Sequence, residues 1–430
     1  MSSSSYTSSF QIYIKSKSIR IELAESESIY YFNHDEHISP NKSENESDLI
    51  IDTPPKFLTT NKVYIIDSVS SGTGRPKQKD FHELVLAPLL HALGVEFTYI
   101  KTTSPDSIEN FAHSLPHKDS FVFFLSGDTS VNEFINKLNQ NPEENKSIVL
   151  FPIPMGTGNS FALSLGITNP LKSLVQLLAA TAKPAPLNLY NVLLPHGSYK
   201  LVQNEKSPLP SNSLQFLVVF SWAFHASLVA DSDTPELRKH GLERFKMAAE
   251  SNLKRPQIYN GETTFYKEKE NKENEENEEN EENVGKESDD KERRQTGKYK
   301  EISIPGPYAY WLVTPAQKFE PTFEISPNGN ILDDSLYLIA FKSKPKDDSY
   351  IMDIMMQVYD KGKHTLNPDV QYTRIERKDY LRLSISGASD TLQRRFCIDG
   401  AILVVPEKSE IVIKSTGNHF HGWELQTIQI

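Results

Sequence analysis

The chain has 430 residues, 57 acidic against 46 basic, for a formal charge of −11. That balance excludes a general nucleic-acid-binding role, because neutralising phosphates takes clustered Lys and Arg. A single cysteine, Cys397, excludes a disulfide framework and a Cys-based zinc site, and points to a reducing compartment. No run reaches the ~18 apolar residues of a transmembrane span, and the opening MSSSSYTSSF lacks the apolar core of a secretory signal. The expectation is a soluble, cytoplasmic protein of about two domains.

Residues 1–58 read as an N-terminal extension. Alternation of Ile12, Ile14, Ile19, Ile21 and Leu23 predicts short strands, and the polar stretch 33–48 predicts a linker. Residues 59–185 change character. KVYIID (62–67), FTYI (97–100), FVFFLS (121–126) and IVLFPI (148–153) are short apolar runs, separated by helical patterns over 81–93, 131–138 and 171–182. Apolar strands alternating with helices predict a parallel sheet covered on both faces. Residues 186–430 are mostly strand-like (LQFLVVF, YAYWLVT, SLYLIAF, YLRLSIS, AILVVP, EIVIKS), with one helix near 235–250, and predict a β-rich second domain. Its extreme C-terminus is placed against the first domain. Within it, 266–300 holds KENEENEENEENVGKESDDKERRQ, which cannot bury enough surface to order itself. It is expected to be a disordered insertion, available to regulatory partners.

Sheets of the first kind hold ligands at the carboxyl ends of their strands. After KVYIID comes SVSSGTG, including Ser68, Ser71, Gly72, Thr73 and Gly74. After FVFFL come Ser126, Gly127, Asp128 and Thr129, running on to Glu133. After IVLFPI come Pro154, Met155, Gly156, Thr157, Gly158 and Asn159. Glycines let backbone approach a phosphate, and helix N-termini offer unpaired N–H groups. Three such loops at one sheet edge predict a nucleotide or phosphate site. The chain has no G-x-x-x-x-G-K-[ST] P-loop, no G-x-G-x-x-G opening a helix and no protein-kinase signature set. His82-Glu83 lacks the second His of a zincin.

These three loops resemble the diacylglycerol kinase catalytic-domain superfamily of lipid kinases. Its pattern runs roughly N-P-x-S-G-x-G, [GS]-G-D-G-[TS]-x-x-E and P-x-G-[ST]-G-N, and 154–159 fits the third motif throughout. AFHASLVADSDTPELRKHGLERF (223–245) is similar to the lipid-recognition segment of sphingosine and ceramide kinases, with Asp231, Asp233, Arg238, Gly241, Arg244 and Phe245 in register. CIDGAILVV (397–405) carries Asp399 and Gly400 where the family has Asp-Gly-Glu. Ser126, in place of the family's first Gly, also leans to the sphingoid-base branch.

The resemblance implies a three-layer α/β domain with a parallel sheet, followed by a β-sandwich domain. It implies ATP-dependent phosphorylation of a lipid hydroxyl with Mg2+, on a sphingoid long-chain base or alternatively diacylglycerol or ceramide, at a membrane surface. The loop backbones at 72–74 and 156–158 would hold phosphates, and Thr102 or Thr103 would contact the nucleotide. Arg238 and Arg244 would reach the phosphates; six residues apart on one helix they would point ~120° apart. Asp128 would take or orient the acceptor proton, Asp233 or Asp231 would bind the polar lipid head, and Asp399 would be linked to magnesium. Several positions depart from the pattern: Ser68 and Val69 for Asn-Pro, Thr129 for the second Gly of Gly-Asp-Gly, Tyr337 for an acid, and Ala401 for the Glu of Asp-Gly-Glu. Thr129 is expected to resist a positive φ and crowd the phosphates. These departures favour a second reading, a catalytically weak or inactive lipid- or nucleotide-binding regulator.

Overall fold

The computed structural model describes residues 7–27, 29–37, 49–69, 71–72, 76–142, 146–179, 184–202, 205–209, 211–269, 298–347, 349–387 and 389–430. The short apolar runs form a parallel sheet. Its strands lie in the order Phe97–Lys101, Lys62–Asp67, Ser120–Ser126, Lys146–Pro154, extended by Trp423–Thr427 and His419–Phe420 from the C-terminus. Every residue of Ser120–Ser126 is buried, which is why this strand has no polar alternation. The path through this sheet starts at Lys62–Asp67, steps to one side for Phe97–Lys101, then to the other for Ser120–Ser126. That reversal opens a crevice between the carboxyl ends of two neighbouring strands, and two of the Gly loops leave from there.

The second unit is built from two antiparallel sheets, one of six strands and one of eight. They share one core, in which Phe396 stacks on Phe220 at 5.3 Å and on Trp222 at 5.7 Å between ring centroids. Large aromatics dominate because each removes so much apolar area from water. The fold is an α/β domain with a parallel sheet followed by an antiparallel β-sandwich.

Four strands, Ser8–Ile14, Ile19–Glu25, Tyr30–Glu36 and Leu49–Ile51, make a separate sheet from the N-terminal residues. Its alternating apolar set (Ile12, Ile14, Ile21, Leu23) is fully buried and joins the α/β core. Strand structure therefore runs into the stretch expected to be a linker, as far as Glu36; 38–48 lie outside the described residues. The stretch 266–300, expected to be a disordered insertion, is strand at both of its ends. Gly261–Glu268 and Tyr299–Pro305 pair as antiparallel strands on either side of it, so backbone pairing takes in both of its ends. Residues 270–297 lie outside the described set.

The helix expected near 235–250 is two helices, Pro235–Arg238 and Glu243–Leu253. Between them Gly241 has φ +55°, a left-handed turn that a helix cannot continue through. Two further helices, Ala223–Ser232 and Tyr350–Tyr359, were not anticipated from the strand-rich surroundings. No helix among the described residues is long and apolar enough to cross a membrane.

Candidate functional site

The three loops meet. Ser68 N–H donates to the Leu125 carbonyl at 3.2 Å, Met155 N–H to Ser126 at 3.2 Å, and Asp128 N–H to Gly158 at 3.4 Å. Thr102 Oγ accepts from Val69 N–H at 3.2 Å and donates to the Asp67 carbonyl, so it holds the first loop. Thr103 N–H instead donates to Ser107 Oγ. Glycine is required where loop backbones touch. A Cβ on Gly156 would lie 2.5 Å from Gly127 Cα, and one on Gly72, at φ +64°, 2.8 Å from the Met155 carbonyl oxygen. Asn159 closes the third loop on itself, accepting from Gly156 N–H at 3.0 Å and donating back to its carbonyl at 2.7 Å. Gly156→Ala must therefore push the second and third loops apart. It is expected to weaken ATP binding at least about tenfold in calorimetry, since overpacking a tight contact typically costs ~1–3 kcal/mol.

Asp128 opens the helix Asp128–Asn136 and faces the crevice. Its two oxygens accept from Ser160 N–H at 2.8 Å and Phe161 N–H at 3.0 Å, capping the short helix Ser160–Ser164. Burial pushes its carboxyl up to about 7 against those two hydrogen bonds, with the neighbouring Asp399 adding to the rise. Thr129 lies in the first turn of the same helix and has no positive φ. The expected backbone strain does not occur, because in this turn the position is ordinary α-helix. Its Oγ donates to the Asp399 carbonyl at 3.0 Å, tying the α/β domain to the sandwich. Thr129→Gly is expected to lower stability by about 1–2 kcal/mol in denaturant melts, from a lost hydrogen bond and a glycine in a helix, and not to raise activity. A higher transfer rate would restore the crowding argument.

Asp399 and Gly400, at φ +44° and +91°, form the two-residue turn between Arg395–Ile398 and Ala401–Val404. The sequence placed Asp399 at magnesium; the geometry gives it other work. Its carboxylate accepts from Leu217, Val218 and Val219 N–H at 2.9, 2.9 and 2.7 Å, and from Asn132 Nδ2 at 2.9 Å. Two donors on each oxygen leave it poorly placed to ligate a metal. Burial holds it up to about 6 despite these bonds. No group of three or more His, Cys, Asp or Glu among the described residues could hold a metal ion.

Asp233 and Asp231 separate. Asp233 sits at the crevice, gripped by Arg238 through Nε and Nη2 at 2.8 Å each and approached by Arg244 at 3.4 Å. The break at Gly241 is what lets both arginines converge, contrary to their expected divergence on one helix. Asp231 lies away from the crevice and pairs with Arg395 at 2.6 Å, Arg255 at 3.1 Å and Asn252, which tie two helices to a sandwich strand. Ser126 is buried, its Oγ donating to Gly127, and neither it nor Glu133 lines the crevice. Tyr337 is in a sandwich strand, stacked on Tyr372 at 5.1 Å. Thr73 and Gly74 lie outside the described residues.

One cavity of about 910 Å³ collects the rest. It is lined at one end by Ser68, Ser71, Gly72, Gly127, Asp128, Thr129, Gly156, Thr157 and Gly158, with Asp399, Gly400, Arg238 and Arg244 beside them. The same cavity has an apolar lining of Phe224, Leu228, Phe245, Phe319, Phe323 and Met355. Sequence reading missed this second half. The apolar spacing in YIMDIMMQVY carries a helix signal, but the loop supplying Phe319 and Phe323 carries no periodic signal at all.

Residues 62–189 match the diacylglycerol kinase catalytic domain. Over this stretch the chain is similar to that domain. The match begins at the start of Lys62–Asp67, the strand that feeds the first loop. The chain is similar to sphingosine kinase B of Dictyostelium discoideum, 30% identical over 128 residues, 29% of this chain and 16% of that protein. It is also similar to a protein of Shewanella frigidimarina named "Probable lipid kinase YegS-like", 31% identical over 74 residues, 17% of this chain and 24% of the other. The chain thus spans under a quarter of the length of either relative. A solved structure from Bacillus anthracis str. Sterne, assigned as a diacylglycerol kinase, is 15% identical, covers 86% of this chain and 98% of that one, and has a TM-score of 0.50. At that identity the likeness concerns the fold alone.

Proposed function

We propose that the chain is a lipid kinase that transfers the γ-phosphoryl group of magnesium–ATP to a lipid hydroxyl, with a sphingoid long-chain base as the acceptor and diacylglycerol or ceramide as the alternatives. The observation that carries this reading is the make-up of one cavity: glycine loops suited to phosphates and apolar side chains suited to a hydrocarbon chain line it together, with Asp128 among them. Phosphoryl transfer needs positioning and charge stabilisation more than covalent chemistry. The loops at 68–74 and 156–158 would hold the phosphates, and Arg238 and Arg244 would offset their charge. Asp128, raised to about 7 by burial, would accept the hydroxyl proton as the oxygen attacks. The lipid would arrive from a membrane surface, with the protein cytoplasmic and peripherally attached.

The second reading, a binding relative without turnover, is favoured by Ala401 and by the fully engaged carboxylate of Asp399. Labelled ATP with magnesium and a panel of sphingoid bases, ceramide and diacylglycerol in mixed micelles separates the two. Labelled lipid that disappears on Asp128→Asn supports the kinase. ATP and lipid binding with no labelled product from any acceptor supports the regulator.

A further inference from the structure

We propose that Glu320 reads the acceptor, pairing its carboxylate with a cationic amine carried by the lipid, and that the hydroxyls of Tyr359 and Tyr310 complete this polar subsite within the apolar compartment. The inference rests on the lipid-kinase reading and extends it to the chemical class of the acceptor.

Four other carboxylates line the cavity. Asp128 and Asp399 are engaged by backbone N–H groups. Asp233 is already neutralised by a bidentate arginine. Glu243 is exposed on its helix. Glu320 is different. It is half-buried beside Phe319 and Phe323, and its hydrogen-bond partner among the described residues is neutral, the Tyr359 hydroxyl donating at 3.3 Å. No cation among the described residues acts on it, and burial alone raises its carboxyl. A carboxylate on an apolar wall without a counter-ion is costly unless a bound cation supplies one.

A second group nearby is also unanswered. Tyr310 is 1% exposed and lines the same cavity, and its buried hydroxyl has no hydrogen-bond partner among the described residues. Burial pushes its hydroxyl up, with Tyr359 adding to the rise, and both tyrosines line the cavity. An orphaned buried hydroxyl is destabilising unless something fills its valence. The subsite is also close to the chemistry. The Lys318 carbonyl accepts from Ser160 Oγ at 2.6 Å, and Ser160 N–H donates to Asp128, so two short bonds link the Glu320 segment to the transfer centre. A neutral diacylglycerol leaves Glu320 unanswered.

The test is equilibrium binding without ATP, so that it does not depend on turnover. Sphinganine and N-acetylsphinganine in mixed micelles are titrated against the full chain, Glu320→Gln, Glu320→Ala and Asp233→Asn, each first checked for an unchanged melting transition. Wild type is expected to prefer the free amine at least about tenfold, the scale of a charge-assisted hydrogen bond. Both Glu320 variants should reduce that ratio to about one, and Asp233→Asn should retain it. Tyr310→Phe should fold at least as stably as wild type while binding sphinganine several-fold more weakly. No amine preference in wild type, a preference that survives both Glu320 variants, or one lost only in Asp233→Asn would overturn the proposal. The kinase reading is judged separately, by Asp128-dependent transfer to any lipid hydroxyl.

Discussion

Asp128→Asn is expected to lower the rate of phosphoryl transfer by about two to four orders of magnitude, the range for removing a positioned general base, while ATP affinity changes by no more than a few-fold. The substitution keeps the shape of the side chain and removes the proton acceptor. It also turns one oxygen into an NH2 group that faces either Ser160 or Phe161 N–H, so the cap on Ser160–Ser164 is half lost and a modest drop in melting temperature should accompany it. The pH profile gives an independent check. The carboxyl is held up at about 7, and only the ionised form can take a proton. The rate at limiting substrate should therefore fall about tenfold per unit below pH 7 and level off above it. A profile flat from pH 5 to 8 would remove Asp128 from the chemistry.

Asp399→Ala is expected to be the most destabilising single change near the site, by about 3–5 kcal/mol in denaturant unfolding. It leaves three backbone N–H groups and the Asn132 amide without their acceptor, at ~1–3 kcal/mol for each group that stays dry. It also frees the turn that meets Thr129, so the two domains should lose cooperativity together. The pH dependence follows from linkage. The folded-state value, about 6, lies above the ordinary 3.8, so this group's contribution to stability is fully present below about 3.8 and is lost as pH rises through 6. The gap between wild type and Asp399→Ala should be wider at pH 5 than at pH 8. Loss of catalysis with stability unchanged would instead make Asp399 a member of the chemical centre.

The apolar runs and the Gly loops that follow them could be read in advance, because periodicity and turn chemistry act between residues a few positions apart. The same holds for the alternating isoleucines at 12–21, which form strands with one face buried. The amino-acid sequence by itself thus determined the parallel sheet, the β-rich second half and the identity of the three loops. It did not determine partners. Thr129 was read as a steric problem because the residue it bonds lies 270 positions away. Asp231 and Asp233 are equivalent in sequence and are separated only by which arginines reach them. Arg238 and Arg244 converge because a single left-handed glycine breaks the helix between them. Glu320 sits in a loop without pattern, and only the closing of the sandwich against the α/β domain puts it on a cavity wall with no cation beside it among the described residues. Burial and pairing are properties of surfaces brought together by the whole chain, so they belong to the tertiary structure.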